Sequence, residues 1–161
     1  MNERDFFLER REAESGAFHR VVDALPLDKF DYRPHERSPS AREIVWTLAN
    51  ETRACSDIIE SGSADWRPAP PPGDASQVVE VFYHNYKALS DQASALDEKA
   101  WIRPVRFLVA GQLKQEPRLG QFLWYLFFDA IHHRGQLSTY IRPMGGKVPS
   151  IYGPSGDDPG Q

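Results

Sequence analysis

Asp129 and His133 are the two residues whose types and spacing best suit chemistry. They are four residues apart, and Asp129 falls in the apolar run FLWYLFFDAI from Phe122 to Ile131. On a helix this spacing places two side chains one turn apart on one face, as two ligands of a single metal ion require. A carboxylate in such surroundings is costly unless it is paired, hydrogen-bonded or metal-bound. The pair therefore predicts either part of a metal site or a register-fixing hydrogen bond to Asp129 from His133, Arg134 or Arg142.

Thr47 and Glu51 are the matching candidates on an earlier predicted helix. They belong to a stripe with a spacing near 3.5 residues, and a second such stripe contains Asp129 and His133. The members of the two stripes are Ser40, Ile44, Thr47, Glu51, Ala54 and Ile58, and Phe122, Leu126, Asp129, His133, Gln136 and Tyr140. If both stripes face inward, all four polar candidates share one cavity. The alternative is a half-exposed helix with Glu51 in water.

Other kinds of site find little support in the sequence. The single cysteine, Cys55, excludes an intrachain disulfide and a thiolate cluster, and we predict that it is a buried core residue. His19, His35 and His84 have no companions at ligand or triad spacing. The sequence contains no Gly-x-Ser-x-Gly motif, phosphate-binding glycine loop or dinucleotide fingerprint.

Composition and charge narrow the possible partners. The chain has 161 residues, with 19 Lys and Arg against 23 Asp and Glu. Its formal net charge of -4 disfavours binding to the phosphate backbone of a nucleic acid. The apolar run from Phe122 to Phe128 is far shorter than the roughly 20 residues of a membrane helix. The N-terminal MNERDFF lacks the apolar segment of a signal peptide. We therefore expect a cytoplasmic protein that binds neither nucleic acid nor membrane.

Four segments are predicted to be helices. They run over about residues 3–25, 40–60, 74–96 and 117–142, and the intervening loops hold most of the prolines. Residues 61–73 are predicted to form a loop with a polyproline-like portion, with Trp66 packing back on the bundle. Residues 101–114 are left as either an extended stretch or a short hairpin about Gly111. The fold class predicted is all-α, a four-helix bundle with long loops.

The chain is predicted to form one domain over residues 1–161. We expect its partly extended tail, residues 146–161, to be ordered to about Pro154 and to fray beyond that residue. The last predicted helix is apolar on nearly every face from Phe122 to Ile131, so it must be covered on more than one side. A second subunit is one such cover, and we therefore predict a homodimer.

Two segments resemble one known family. The sequence IHHRGQLSTYIRPMGGKVPSIY from Ile131 to Tyr152, continued by GPSGDD, is similar to the end of the DinB-like (DinB/YfiT) family of metal-binding four-helix-bundle proteins. The segment SAREIVWTLANE from Ser40 to Glu51 resembles that family's second helix. The order of helices and loops agrees over nearly the whole chain.

The resemblance implies a metal site with altered ligands. Family members commonly hold a divalent ion such as zinc or nickel with three histidines, one from the second helix and two, four residues apart, from the last. Carried onto this sequence, those positions are Thr47, Asp129 and His133, so one of the three histidines is retained. Glu51, one turn beyond Thr47, is the candidate for a replacement ligand.

Some relatives of this kind transfer a thiol, and this gives two functional hypotheses. In the first, His133, Asp129 and Glu51 hold a metal that activates a low-molecular-weight thiol. Arg134 or Arg142 would then meet an anionic group of that thiol, and Tyr140 would be a further binding residue. In the second, the chain is a non-catalytic, dimeric, stress-associated protein. Its cavity then takes a small ligand or is closed by a hydrogen-bonded polar plug.

Overall fold

A computed structural model describes residues 1–160 as a mainly helical fold with one small sheet. The helices are α1 (Glu3–Asp23), α2 (Ala41–Ser61), α3 (Ala75–Ser94), α4 (Glu98–Ile102) and α5 (Leu119–Ile141). The strands are β1 (Ser63–Trp66), β2 (Arg106–Val109) and β3 (Gln112–Gln115). The four predicted long helices are thus confirmed, and α4 and the sheet are additions to them.

Helix α2 begins and ends where its sequence provides caps. The Ser40 hydroxyl accepts a hydrogen bond from the Glu43 backbone, and the Ser40 backbone donates to the Glu43 carboxylate at 2.7 Å. This capping box satisfies two backbone N–H groups that a helix start otherwise leaves unpaired. Gly62 ends the helix in the left-handed conformation, with φ +76°, which costs a glycine little. The caps fix where α2 begins and ends, and the stripe of buried residues between them, which includes Glu51, faces the core.

The sheet corrects the all-α prediction. Strand β1 pairs in parallel with β2, and β2 pairs antiparallel with β3. The prediction of a loop is wrong over residues 63–66, which form strand β1. The prolines do not prevent this, because β1 lies at the edge of the sheet and ends before the first of them. The hairpin alternative about Gly111 is confirmed. Its two turn residues, Ala110 and Gly111, both have positive φ, as tight two-residue hairpins require.

The core lies between the four long helices. Aromatic and aliphatic side chains from all of them are buried there, including Phe18, Leu48, Phe82 and Leu123. Strand β1 packs against α2, and the short α4 packs against the start of α5. Trp66, at the end of β1, is partly buried against this core, as predicted. The sheet therefore covers one side of the α2–α5 pair.

Arg134 forms a buried link between α1, α5 and the tail. Its side chain is 2% exposed, and its guanidinium pairs with the Glu14 carboxylate and donates to the Tyr152 hydroxyl at 2.6 Å. The guanidinium also lies 4.8 Å from the centre of the Phe18 ring. Helix α1, helix α5 and the tail are thus held together at one cation.

The tail after α5 contains neither helix nor strand but has defined hydrogen bonds. The Asp157 carboxylate accepts from the Val148 backbone and from Arg142, and these bonds hold the pKa of Asp157 below its ordinary value. Asp158 accepts from the backbones of Ser150 and Gly160. The predicted fraying after Pro154 is therefore wrong up to Gly160. Gln161, included in the predicted domain, lies outside the described residues.

Part of the apolar surface of α5 remains exposed in the single chain. Phe128 is 62% exposed, and Tyr125 and Phe6 of α1 are also exposed. The homodimer remains a prediction, and substitutions on this exposed surface would test it. Within residues 1–160, no helix combines the length and the hydropathy that crossing a bilayer requires.

Candidate metal centre

Helices α2 and α5 bring Glu51, Asp129 and His133 to one point. One possible ligand atom from each residue lies within 4.8 Å of the others. The His133 Nε2 atom is 3.4 Å from a Glu51 carboxylate oxygen and 3.9 Å from an Asp129 carboxylate oxygen. Asp129 and His133 meet because they are one turn apart on α5, and Glu51 reaches them because α2 packs against that face. The structure therefore shows the predicted convergence of these three side chains.

Glu51 is a buried carboxylate without enough hydrogen-bond partners. The residue is 3% exposed, and its Oε2 atom has no hydrogen-bond partner within residues 1–160. The pKa of Glu51 is raised to about 7, chiefly by burial; His133 lowers it, and Asp129 also raises it. An unpaired buried carboxylate oxygen destabilises a fold unless a proton, a water molecule or a ligand meets it.

The His133 ring is oriented with one nitrogen toward the carboxylates. Its Nδ1 atom donates to the Gln136 side-chain oxygen at 3.3 Å, which leaves Nε2 facing Glu51 and Asp129. A hydrogen bond that the protonated ring donates to the Glu51 carboxylate raises the pKa of His133, with burial opposing it. A bare Nε2 lone pair facing two carboxylates is electrostatically unfavourable. Either a proton or a cation must therefore lie between these groups.

A cavity of about 270 Å³ opens onto the three side chains. Thr47 lines it as predicted, but the Thr47 hydroxyl donates to the Glu43 backbone carbonyl at 2.9 Å. Its remaining walls are apolar or aromatic and come from the sheet and from α5: Trp66, Phe107, Val109, Tyr125 and Leu126. The sheet is thus part of the site as well as an addition to the fold.

Three other candidates lie elsewhere. Arg134 is buried against Glu14, Arg142 pairs with Asp157 at 2.8 Å, and the Tyr140 hydroxyl donates to the Pro39 carbonyl at 3.0 Å. In the described part of the chain none of the three lines the cavity. Arg134 follows His133 directly, and adjacent helical residues point about 100° apart. The predicted role of these residues in binding a thiol is therefore not supported by their positions.

Cys55 also takes no part in the site as a reactive group. Burial raises the pKa of its thiol to about 12, so the thiol stays protonated at neutral pH. The prediction of a buried core cysteine agrees with this placement.

Three of the wall residues, Phe107, Val109 and Tyr125, were missed from the sequence, although weak signals were present. Tyr125 is one turn before Asp129 on α5, so it belongs on the same face. Phe107 and Val109 are two residues apart in β2, which places both on one side of a strand. That alternation covers too few residues to be recognised without knowing that β1 pairs with it.

The fold combines four long helices with a three-stranded sheet, and a cluster of possible metal ligands lies between α2 and α5. Together these features define the class of protein to which the chain belongs. The chain matches the DinB family over residues 1–160 and belongs to that family. Its predicted resemblance is thereby confirmed.

Individual relatives agree with this assignment. The uncharacterized protein YrdA of Bacillus subtilis (strain 168) is 27% identical over 158 residues, which cover 96% of this chain and 90% of YrdA. A DinB-like protein from Bacillus cereus ATCC 10987 superposes with a TM-score of 0.71 at 20% identity, over 91% of this chain and 95% of that one. The DinB-like protein YjoA from Bacillus subtilis gives a TM-score of 0.68 at 20% identity, over 88% and 92%. The two structural matches establish similarity of fold.

Proposed function

We propose that this chain binds a divalent metal ion through Glu51, Asp129 and His133 and uses it to hold a small thiol for transfer. The observation that carries the proposal is the unpartnered, buried Glu51 Oε2 atom beside an imidazole nitrogen and a second carboxylate. A cation at this point would give every one of these groups a partner.

The donor set fits zinc and similar ions. Zinc accepts histidine nitrogen and carboxylate oxygen, with bonds of about 2.1 Å, so two ligands of one tetrahedral ion lie roughly 3.4 Å apart. The 3.4 Å and 3.9 Å separations of the His133 nitrogen from the two carboxylates are close to that value. Two carboxylates also balance the charge of a divalent ion in an apolar cavity. Nickel and cobalt accept the same donors.

Each residue has a defined task in this function. Gln136 fixes the His133 ring so that Nε2 faces the site, an orienting contact of the kind that histidine ligands commonly have. Glu51 and Asp129 supply the negative charge, from two different helices. A three-ligand set leaves one coordination position for substrate. When bound, the metal would lower the pKa of a thiol and hold it as the reactive thiolate.

A second candidate function needs no metal. The 3.4 Å approach of His133 to Glu51 is also suited to a shared proton, and Thr47 occupies a position where the family resemblance implies a histidine. In this case the three side chains form a polar plug in a non-catalytic small-ligand-binding protein. The two candidates differ in whether added metal stabilises the chain.

Metal titration of tag-free, chelator-treated protein tests the proposal. We expect one Co²⁺ or Zn²⁺ ion per chain, and binding weakened roughly a hundredfold by Glu51→Gln or His133→Ala, because each removes a ligand. Asp57→Asn, an exposed carboxylate on the same helix, is the matched control and should bind as the wild type does. Calorimetry and elemental analysis measure both quantities. Absence of binding, or equal binding by Glu51→Gln, would favour the polar plug.

Thr47→His is expected to raise zinc affinity at least about tenfold, because an imidazole would replace a hydroxyl at the cavity wall. Competition with a chromogenic chelator measures the change. Thr47→Asn, which adds bulk without a basic nitrogen, is the control. An unchanged affinity for Thr47→His would show that this position does not face the ion.

A further inference from the structure

We infer that the cavity beside Glu51, Asp129 and His133 selects a small, uncharged, apolar thiol and rejects thiols that carry an anionic group near the sulfur. This inference rests on the proposed function, because it names the substrate class of the same site. It replaces the sequence-based expectation that Arg134 or Arg142 meets an anionic group of the thiol.

The first step is the chemistry of the walls. Apart from the three ligand candidates and Thr47, the cavity is lined by Trp66, Phe107, Val109, Tyr125 and Leu126. Within residues 1–160 the lining contains no lysine or arginine. The Phe107 ring also packs 5.1 Å from the Phe122 ring, between centres, so this wall is held in place from behind. A ligand in the cavity therefore meets fixed apolar surface.

The second step is the charge of the site. Two carboxylates balance one divalent ion, and no further cation lines the cavity to meet a second anionic group of a ligand. The nearest arginines along α5 are already paired, Arg134 with Glu14 and Arg142 with Asp157. An unpaired carboxylate placed against these walls would lose water without gaining a partner, which weakens its binding. Uncharged thiols avoid that cost.

The third step is size. A volume of about 270 Å³ lies between an engineered apolar cavity of about 150 Å³ that holds benzene and the 300 Å³ or more of sites for drug-sized molecules. The cavity therefore has room for a branched alkyl chain, or for one ring on a short arm. A peptide-like thiol would leave most of its polar groups outside.

Two thiols of the same shape test the inference. Isopentyl mercaptan and mercaptopropionate differ in that an isopropyl group replaces a carboxylate of similar size. Each is titrated into the Co²⁺-loaded chain, and the cobalt absorption spectrum reports sulfur binding. We expect isopentyl mercaptan to bind about tenfold more tightly or better, since two methyl groups are buried where a charge would be. Equal or tighter binding of mercaptopropionate would overturn the inference.

Two lysine variants test whether the cavity wall, and not the sheet in general, determines the preference for the uncharged thiol. Val109→Lys places a cation in the lining and should narrow or reverse the preference, whereas Leu113→Lys on exposed β3 should leave it unchanged. An unchanged preference in Val109→Lys would overturn the role of the wall. If the chain binds Co²⁺ but neither thiol alters its spectrum, the substrate class is wrong and the metal site stands. If Co²⁺ itself does not bind, the proposed function fails before any thiol is added.

Discussion

Replacing Glu14 by alanine is expected to lower the free energy of unfolding by about 3 kcal/mol, because it leaves the guanidinium of Arg134 buried without its counter-charge. Arg134 is almost fully buried, and its other polar contact is the Tyr152 hydroxyl. That hydroxyl also donates to Glu14, at 3.0 Å, so the substitution loosens the tail as well. Urea denaturation followed by circular dichroism measures the change.

Two further variants show whether the loss arises from the buried charge. Glu9→Ala removes a carboxylate from an exposed pair with Arg10 on the same helix, and it should change stability by less than about 0.5 kcal/mol. Combining Glu14→Leu with Arg134→Met removes both charges and should recover most of the stability. A loss below about 1 kcal/mol in Glu14→Ala would show that Arg134 is not dependent on Glu14.

Replacing Glu51 by glutamine is expected to stabilise the metal-free protein by about 3 kcal/mol above pH 7. The fold raises the pKa of Glu51 from its ordinary 4.5 to about 7, which means that it favours the protonated form. Below the ordinary pKa the carboxyl is protonated in both the folded and the unfolded chain, and it carries no penalty. The penalty grows as the pH rises through that interval and is complete above pH 7. A neutral amide avoids it.

Chemical denaturation with chelator present, at several values between about pH 5 and pH 8, measures this dependence. The stability difference between Glu51→Gln and wild type should increase with pH and then level off. Asp57→Asn, on the exposed side of α2, should show no such increase. If Glu51→Gln is the less stable protein at high pH, the metal-free fold already stabilises the ionised carboxylate. A gain in stability together with a loss of metal binding is the mark of a residue kept for function.

The helices and most of the donor cluster could be predicted from the sequence because their signals are local. Ser40 and Glu43 define the start of α2, and a repeat near 3.5 residues then places Glu51 on its inner face. On α5 the same reasoning places Asp129 and His133 one turn apart. Only the packing of α2 against α5 had to be supplied by the fold.

The sheet and the Arg134 link could not be predicted because their partners are far away in the sequence. Ser63 in β1 pairs with Arg106 in β2, more than forty residues later, and four residues of β1 are too few to show alternation. The thiol-transfer hypothesis placed Arg134 against an anionic group of the thiol. The turn of the helix instead directs it to α1, where Glu14 supplies the opposite charge.

The candidate donor atoms come only from the long helices, whereas part of the cavity wall comes from the sheet. Glu51, Asp129 and His133 come from two long helices, whereas Trp66, Phe107 and Val109 come from the short strands. Under the proposed function, substitutions in those strands would change which molecules the cavity admits while leaving the three candidate ligands in place. Those short segments are therefore the ones to vary when a new specificity is engineered.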